Sequence, residues 1–375
     1  MVDFEFVAPG KVIFGVGSIE RIGEEANNLG KRCLLTTGRT SMAKAGILDR
    51  VNQYLKEAGV EVVLFNEVTP EPSLGLVDEG IKIGRREGCD LVIGLGGGSS
   101  IDVGKAVAGL INDGGRALEY QEGRKITHLG IPFIAIPTTC GTGSEATYNS
   151  VLTNVEDRAK RSIRDKRMIA KVVIVDPELV MGLPPKLVAI SGVDALSHGI
   201  ESYTSLRSNP FTDILALETI KLAVGNLRQA VKDSENLKAK ENMCLAALLS
   251  GLALANSGLG AAHGLGASLG AKLDLPHGVA VSLLLPYVME YNLGSTEKYI
   301  EIARILGGRE EKETPILMKN LLIDIGISPY PKLEISEEDF TTISENASSS
   351  IKYNPRELNM EDRIHILKKA VSDKL

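Results

Sequence analysis

The stretch LVIGLGGGSSIDVGKA at residues 91–106 decides the fold predicted for the first half of the chain. The run LVIGL favours a short buried strand, and the glycines Gly96, Gly97 and Gly98 end that strand in a tight turn. From Ile101 onward apolar residues recur every three to four positions, which predicts a helix. The stretch therefore contains a strand, a glycine turn and the start of a helix.

This turn has the features of a phosphate site. Consecutive glycines let backbone N–H groups approach a ligand, and a helix N-terminus carries unpaired donors and a positive dipole end. Ser99 and Asp102 could orient the loop or the nicotinamide side of a cofactor. The spacing is not G-x-G-x-x-G, because Ser99 stands at the last glycine position, and it is not a P-loop, because Lys105 comes too late. A plain strand-to-helix turn is the alternative.

The alternation of strands and helices continues on both sides of this stretch. Short apolar runs predict strands at residues 12–14, 33–37, 60–65, 91–95, 133–137 and 172–175, and helical periodicity covers residues 19–29, 41–58, 76–87 and 101–111. This order predicts an α/β domain whose parallel sheet is covered on both faces. After Asp176 prolines interrupt the chain and nearly every long segment is helical. We therefore predict an α/β domain at residues 1–180 and an all-helical domain at residues 181–375.

A second loop resembles the first in chemistry. PTTCGTGSE at residues 137–145 follows an apolar strand and is rich in hydroxyl groups and glycines, which suit the phosphates and sugars of a nucleotide. Two such loops at strand ends predict that the first domain binds a dinucleotide.

Three of the five histidines form a possible metal site with one aspartate. Asp194 and His198 are four residues apart in a predicted helix, so both project from one face. His263 lies in a helical run of small residues, and His277 follows a proline. One carboxylate and three imidazoles suit Fe(II) or Zn(II). Taken alone, an Asp and a His at this spacing are more often a solvated pair.

The composition argues against several classes of protein. With a net charge of −6 over 375 residues, the chain has no basic surface for nucleic acid. The most apolar stretch, residues 244–271, is interrupted by Asn256 and His263, so we expect no membrane span. Four cysteines far apart fit reduced thiols, and the first residues do not form a secretory leader. A cytoplasmic protein is therefore expected.

These motifs occur in the order and spacing seen in iron-containing (group III) alcohol dehydrogenases, which the chain resembles over essentially its whole length. The motifs that carry the resemblance are GGGSSID, PTTCGTGSE, Asp194 with His198, AAHGLG, LPHG and the late NPR at residues 354–356. The resemblance implies a dinucleotide-binding α/β domain, an all-helical domain, and a catalytic divalent ion, usually iron, in the cleft between them. The expected reaction is hydride transfer between a nicotinamide cofactor and a short aliphatic alcohol, diol or aldehyde, in a homodimer or higher homo-oligomer.

The same resemblance assigns roles to individual residues. It implies that the metal ligands, which act in catalysis through the ion, are Asp194, His198, His263 and His277. It also implies that the cofactor is bound by Gly96, Gly97, Gly98, Ser99, Asp102, Thr138, Thr139, Thr142, Ser144 and Lys160. Asn149, just after the second loop, could orient the substrate or the nicotinamide amide, although a turn-capping Asn is the commoner case.

Two positions depart from the family pattern. Many relatives carry a proton-relay histidine four residues after the third ligand, where this chain has Ala267. Water or the nicotinamide ribose hydroxyls would then carry the proton. After the strand at residues 33–37, relatives specific for NAD place an acid, whereas this chain has Gly38 and Arg39. Because an arginine can bind a 2′-phosphate, we predict a preference for NADP(H) over NAD(H); a polar turn is the alternative.

Other functions remain open at this stage. A glycerol-phosphate dehydrogenase or a dehydroquinate-synthase-like lyase could use the same two-domain scaffold. Such an enzyme needs basic side chains around the metal, which the sequence near His198, His263 and His277 lacks. A metal-dependent nucleotide-binding scaffold without catalysis is a third reading, and Ala267 favours it. Small and apolar residues such as Leu259 and Val151 favour a short aliphatic substrate.

Overall fold

A computed structural model describes residues 3–156, 159–329, 333 and 335–372. The chain divides into two units, which we call the α/β unit (Val7–Gly182) and the helical unit (Leu183–Leu375 with the first residues of the chain). Within the described N-terminal segment, the rings of Phe4 and Phe6 lie 5.4 and 5.7 Å from the ring of Phe211. These aromatic contacts place the start of the chain with the helical unit.

The α/β unit is built on a parallel sheet, as predicted. The strands formed by the described residues are β1 (Val12–Phe14), β2 (Arg32–Gly38), β3 (Glu61–Val68), β4 (Leu91–Gly96), β5 (Phe133–Pro137), β6 (Asn149–Asn154), β7 (Ala159–Arg164) and β8 (Val172–Val175). Six of them pair in the order β1-β8-β5-β4-β2-β3, and every pair is parallel. The six strands predicted from the sequence are these six.

Helices cover the sheet on both faces. The helices of this unit are α1 (Ile22–Asn27), α2 (Ser41–Lys44), α3 (Ile47–Glu57), α4 (Leu74–Arg86), α5 (Gly98–Leu110) and α6 (Ala117–Gln121). Successive residues of a strand point to opposite faces. In β2, Leu35 joins the apolar core that α1 and α3 bury, whereas Leu34 faces α4 at Gly84. Both faces of the central strands are therefore apolar, which explains their continuous hydrophobic runs.

Helix α5 lies close against β4. A Cβ added at Gly104 would lie 3.0 Å from the ring of Phe133 and 3.4 Å from the Cα of Gly94, which is tighter than ordinary contact. Glycine at both positions lets the helix approach the strand, and this fixes where the N-terminus of α5 sits above the sheet edge.

The antiparallel hairpin of β6 and β7 is absent from the sequence-based prediction. Its strands pair Asn149 with Arg164 through Asn154 with Ala159. The sequences NSVLTN and AKRSIR are largely polar, so neither contains the apolar run that reveals a buried strand. The short helix α6 was not predicted from the sequence either.

The helical unit contains the long helices expected after Asp176. Its helices are α7 (Pro185–Thr204), α8 (Pro210–Lys232), α9 (Leu237–Ser257), α10 (Ala261–Leu273), α11 (His277–Asn292), α12 (Lys298–Leu306), α13 (Thr314–Asp324), α14 (Glu337–Glu345) and α15 (Met360–Ser372). A Cβ added at Gly199 would lie 2.8 Å from Thr219 Cγ2, so α7 and α8 pack at close range. Within the described residues, no single helix is long and apolar enough to cross a membrane; the α9–α10 pair, bent by 103°, meets the criteria of length and composition only when taken together.

Candidate functional site

Helix α7 carries the first two predicted metal ligands on one buried face. Asp194 and His198 are each only 4% exposed. His198 Nε2 lies 3.9 Å from Asp194 Oδ1, as the one-turn spacing predicts. Both side chains are therefore almost completely removed from solvent.

Helices α10 and α11 bring the other two ligands to Asp194. His263 is the third residue of α10, and its Nε2 lies 3.5 Å from Asp194 Oδ1. His277 is the first residue of α11, and its Nε2 lies 4.0 Å from the same oxygen. One ligand atom from each of Asp194, His263 and His277 lies within 4.8 Å of the others. The ring of His198 stacks on that of His263 with centroids 4.6 Å apart, so the four predicted ligands form one cluster.

The cluster fits a divalent ion. Asp194 Oδ1 and His263 Nε2 are buried, and neither has a hydrogen-bond partner among the described residues. A buried polar atom without a partner costs about 1–3 kcal/mol, so two that face each other indicate a ligand that satisfies both. Oxygen and nitrogen donors in this ratio suit iron or zinc. The side chain of His277 is 35% exposed, which leaves one side of the cluster open to solvent.

The charges of the cluster couple its protonation states. Burial raises the pKa of Asp194, but the positive charge of His198 and the other imidazoles outweighs burial, and the pKa lies well below its usual range. Burial lowers the pKa of His263, but the charges of Glu201 and Asp194 raise it to about 9. An ion that binds His263 Nε2 must therefore displace a proton.

Glu201 is a buried residue of this cluster that sequence reasoning missed. It follows Asp194 by seven residues on α7, so it shares the ligand-bearing face, and this spacing was the signal that could have identified it. Its Oε2 lies 2.5 Å from His263 Nδ1. Ala267, in place of the expected relay histidine, lies one turn after His263 on α10.

In the α/β unit, the two predicted phosphate loops lie side by side. They follow the adjacent parallel strands β4 and β5, whose ends pair Gly96 with Pro137. The backbone N–H of Thr138 donates to the carbonyl of Gly96 at 2.9 Å. A Cβ added at Gly98 would lie 2.8 Å from the side chain of Thr142, so the loops touch. The N-cap residue of α5 is Gly97, which has no side chain to cap the first N–H groups, so this helix end is available to an anion.

A buried lysine joins the loops to each other. Lys105 is fully buried, and its Nζ donates to the carbonyls of Ser144 and Asn149, both at 2.7 Å, and to Thr147 Oγ1 at 2.8 Å. Its ammonium also lies 3.4 Å from Asp102 Oδ1. Sequence reasoning considered Lys105 only as a failed P-loop lysine. The structure shows that it reaches from α5 to the turn that precedes β6.

Asp102 and Ser144 belong to the same network. The hydroxyl of Ser144 donates to Asp102 Oδ1, and the backbone N–H of Val151 donates to Asp102 Oδ2 at 2.9 Å. Both side chains are buried, at 8% and 6% exposed. Their hydrogen bonds hold the first loop, the second loop and strand β6 together, whereas Ser99, Thr139 and Thr142 are partly exposed.

The remaining predicted cofactor residues lie outside the two loops. Gly38 ends β2, the neighbour of β4, so it is at the same sheet edge as the loops. The exposed Arg39 forms an ion pair with Glu67, with Nη2 at 2.9 Å from Oε2. Lys160, on β7, is mostly buried and forms an ion pair with Glu71.

Comparison with known proteins identifies the class. The sequence model of "Iron-containing alcohol dehydrogenase" matches residues 9–177, and that of "Fe-containing alcohol dehydrogenase family, C-terminal" matches residues 188–371. Together these matches define a metal-dependent oxidoreductase that acts on alcohols. The chain belongs to the iron-containing alcohol dehydrogenase family, and the predicted family, fold class and type of reaction are confirmed.

Individual relatives are similar over nearly the whole chain. The 1,3-propanediol dehydrogenase of Klebsiella pneumoniae is 38% identical, over 98% of both chains. The NAD-dependent methanol dehydrogenase of Bacillus methanolicus is 32% identical, over 98% of this chain and 99% of the relative. The crystal structure of a 1,3-propanediol oxidoreductase, 38% identical, superposes with a TM-score of 0.93 and covers 98% of this chain and 100% of that chain.

Proposed function

We propose that the protein interconverts short aliphatic alcohols or diols and their aldehydes, using ferrous iron held by Asp194, His198, His263 and His277 and the cofactor NADP(H). One observation carries this proposal: ligand atoms of three of these residues converge within 4.8 Å. Two of those atoms are buried without a hydrogen-bond partner among the described residues.

The four ligands set the charge of the site. One carboxylate and three neutral imidazoles leave a divalent ion with net positive charge. Such an ion supplies Lewis acidity that polarises an alcohol or carbonyl oxygen. The exposed edge of His277 gives a small substrate access to this side of the cluster, while the buried Asp194 and His263 keep water from the other side.

The glycine loops supply the cofactor site. The N-terminus of α5, with Gly97, Gly98 and Ser99, binds the pyrophosphate through backbone N–H groups. Thr139 and Thr142 line the neighbouring surface, and Asp102, Lys105 and Ser144 hold the loops in place. The nicotinamide supplies the hydride chemistry, so the task of these residues is to bind and orient it.

The substrate is proposed from relatives and from the residues present. The relatives include dehydrogenases named for 1,3-propanediol and methanol and the lactaldehyde reductase of Escherichia coli, all acting on small hydroxyl or carbonyl compounds.

Ala267 offers no proton-transfer group on α10. Water or, with the cofactor bound, its ribose hydroxyls would therefore carry the proton.

Turnover tests the reaction. The protein is purified anaerobically with ferrous iron, and NADPH oxidation is followed with a panel of short aldehydes and, separately, of phosphorylated sugars. We expect turnover with at least one short aldehyde. Absence of turnover with every aldehyde would contradict the proposal. NADPH oxidation with a phosphorylated sugar alone would favour a glycerol-phosphate enzyme, and loss of a phosphorylated compound without net NADPH oxidation would favour a lyase.

Metal retention tests the ligand set. Replacement of one ligand of a four-ligand site removes a donor and opens the site to water, so His263→Ala should lose its iron on dialysis. His365→Ala, at an exposed histidine of α15, is the matched control and should keep it. Metal content is measured by elemental analysis. Iron at full stoichiometry in His263→Ala would remove that residue from the ligand set.

The cofactor preference rests on Arg39. Its guanidinium is tied to Glu67 by one ion pair and is 64% exposed, so it can turn to a 2′-phosphate. A charge-assisted hydrogen bond is worth about 1.5–3 kcal/mol, so Arg39→Gln should lower kcat/KM for NADPH about tenfold or more and leave the value for NADH nearly unchanged. Arg86→Gln, at an equally exposed arginine, is the control. A clear preference of the native enzyme for NADH would refute this part of the proposal.

A further inference from the structure

Glu201 lies beside the metal cluster, and both oxygens of its carboxylate are hydrogen-bonded. The side chain is 4% exposed. Its Oε1 accepts from the backbone N–H of Ala262 at 2.6 Å, and its Oε2 accepts from the backbone N–H of His263 at 3.3 Å. The same Oε2 lies 2.5 Å from His263 Nδ1. Glu201 thus connects α7, which bears Asp194 and His198, to α10, which bears His263.

The first of these contacts caps a helix. The first N–H groups of a helix have no partner within it, and the residue before α10, Gly260, provides no side-chain cap. Glu201 takes two of these donors, and Asn354 Oδ1 accepts from the N–H of Ala261 at 3.3 Å. A Cβ at Gly260 would lie 2.9 Å from Glu201 Oε1 and 3.0 Å from Asn354 Oδ1, so glycine leaves room for both caps.

The second contact determines which nitrogen of His263 holds a proton. An ionised carboxylate only accepts hydrogen bonds, so His263 Nδ1 must be the donor. When an ion takes up the lone pair of a neutral imidazole, the ring has one proton left. If that proton is on Nδ1, the lone pair is on Nε2, the atom that faces Asp194 Oδ1 at 3.5 Å.

We infer that Glu201 is a positioning residue for the metal: by accepting from Nδ1 it fixes the ring orientation and tautomer in which His263 Nε2 binds the ion. This inference rests on the proposed role of His263 as a ligand. Outer carboxylates of this kind commonly account for 10- to 100-fold in metal affinity. A residue that only capped α10 would stabilise the fold without acting on the imidazole.

The decisive substitution is Glu201→Gln, which keeps the shape of the side chain. The amide has one oxygen and one nitrogen, so when its oxygen accepts from the backbone of α10 its N–H₂ faces His263 Nδ1. That arrangement favours the proton on Nε2, where it blocks the ion. We expect the affinity for Zn²⁺ to fall 10- to 100-fold.

Two control variants separate positioning from capping. Asn354→Ala removes the other cap of α10 and leaves the Glu201–His263 contact in place, so Zn²⁺ affinity should stay within about threefold of the native value. Glu290→Gln changes an exposed glutamate of α11 that forms an ion pair with Lys369, and it should have no effect. The thermal midpoint of each metal-free variant measures its loss of fold stability separately.

The experiment measures Zn²⁺ binding to the metal-free protein by competition with a chromogenic chelator, and Co²⁺ binding by its visible absorption. Native-like Zn²⁺ affinity of Glu201→Gln, with His263→Ala defective, would overturn the inference and keep the metal site. Native-like affinity of His263→Ala would overturn the proposed site itself. If Glu201→Gln does not fold, Glu201→Asp, whose carboxylate is one methylene shorter, takes its place with the same expected loss, and native-like binding of that variant overturns the inference.

Discussion

The strongest prediction for the α/β unit concerns Lys105→Met, a change that removes the charge and shortens the unbranched side chain by one atom. The native ammonium is fully buried and donates to three oxygens of the segment at residues 144–149 within 2.8 Å. Methionine fills most of the same space, so no large cavity forms. The variant therefore tests the electrostatic and hydrogen-bonding role of Lys105 with little change in packing.

The magnitude follows from the groups left behind. The carbonyls of Ser144 and Asn149 each lose a charged donor and keep only the longer hydrogen bonds from Thr147, so the loss is at most about 1–3 kcal/mol, the cost of a buried acceptor without a partner. Asp102 keeps its hydrogen bonds from Ser144 and Val151 but loses the nearby positive charge. Removal of one partner of a buried ion pair costs about 3–5 kcal/mol in total, and we expect this range because the lost bonds and the lost charge act on the same groups.

Thermal unfolding measures this loss. For a unit of this size, 1 kcal/mol shifts the melting temperature by about 2–4 °C, so Lys105→Met should lower it by about 6–20 °C. Because Lys105 holds the second loop against α5, cofactor binding, followed by NADPH fluorescence, should weaken as well. Lys82→Met, at a lysine whose side chain is 71% exposed, is the control and should change neither. A shift below about 2 °C with native cofactor affinity would refute the argument.

Three further changes test other parts of the structure. Gly104→Ala should destabilise the protein by about 1–3 kcal/mol, because the added methyl group would press on the sheet. Gly225→Ala is the matched control on a helix: nothing lies within 4 Å of its added methyl group, so it should stabilise the protein by about 0.5–1 kcal/mol, and urea unfolding compares the two variants. Burial raises the pKa of Glu145 to about 7, so the charge on this carboxylate destabilises the folded state as pH rises from about 4.5 to 7. Glu145→Gln should therefore be up to about 3 kcal/mol more stable to unfolding than the native protein at pH 8, and little different at pH 4, as measured by melting curves at both pH values. Asp113→Asn should lower the free energy of unfolding by about 1–3 kcal/mol at neutral pH, because the buried carboxylate accepts hydrogen bonds from the backbone N–H groups of residues 127 and 128. These bonds hold the pKa of Asp113 well below its usual range, so the difference between variant and native protein should shrink in melting curves at acid pH, where the native carboxyl also loses its charge.

Much of the fold was predictable because its signals are local. The four inner strands of the parallel sheet are buried on both faces, so they appear in the sequence as apolar runs such as FIAIP of β5 or VVIV of β8. The hairpin of β6 and β7 could not be recognised in the same way. In β6 only Val151 and Leu152 are apolar, with polar residues on both sides, and the pairing of two largely polar strands depends on contacts with the rest of the unit.

The same rule holds for the candidate site: residues with a local sequence signal were predicted, and contacts formed only by tertiary folding were not. The ligand pair Asp194 and His198 could be recognised because one helical turn places both on one face, and the glycine loops because their composition departs from that of any regular element. Arg39 was recognised as a possible phosphate ligand, but its ion pair with Glu67 was not, because the two residues come from different strands. Partners brought together by tertiary folding have no fixed spacing along the chain.

Lys105 and Glu201 show the physical consequence of this limit. Each is a charged residue buried by the fold, and a buried charge is stable only when several fixed partners surround it. The partners of Lys105 in the segment at residues 144–149 are 39–44 residues away in sequence, and those of Glu201 on α10 are 61–62 residues away. In both cases one end of the interaction is the backbone of a loop or helix terminus that carries proposed ligand-binding residues. A charge placed there fixes the position of that backbone more firmly than an apolar contact could, because losing any one partner leaves a polar group unsatisfied in the interior. The motifs therefore specify the groups that contact metal and cofactor, while the buried charges that hold those groups in position are evident only once the elements have packed.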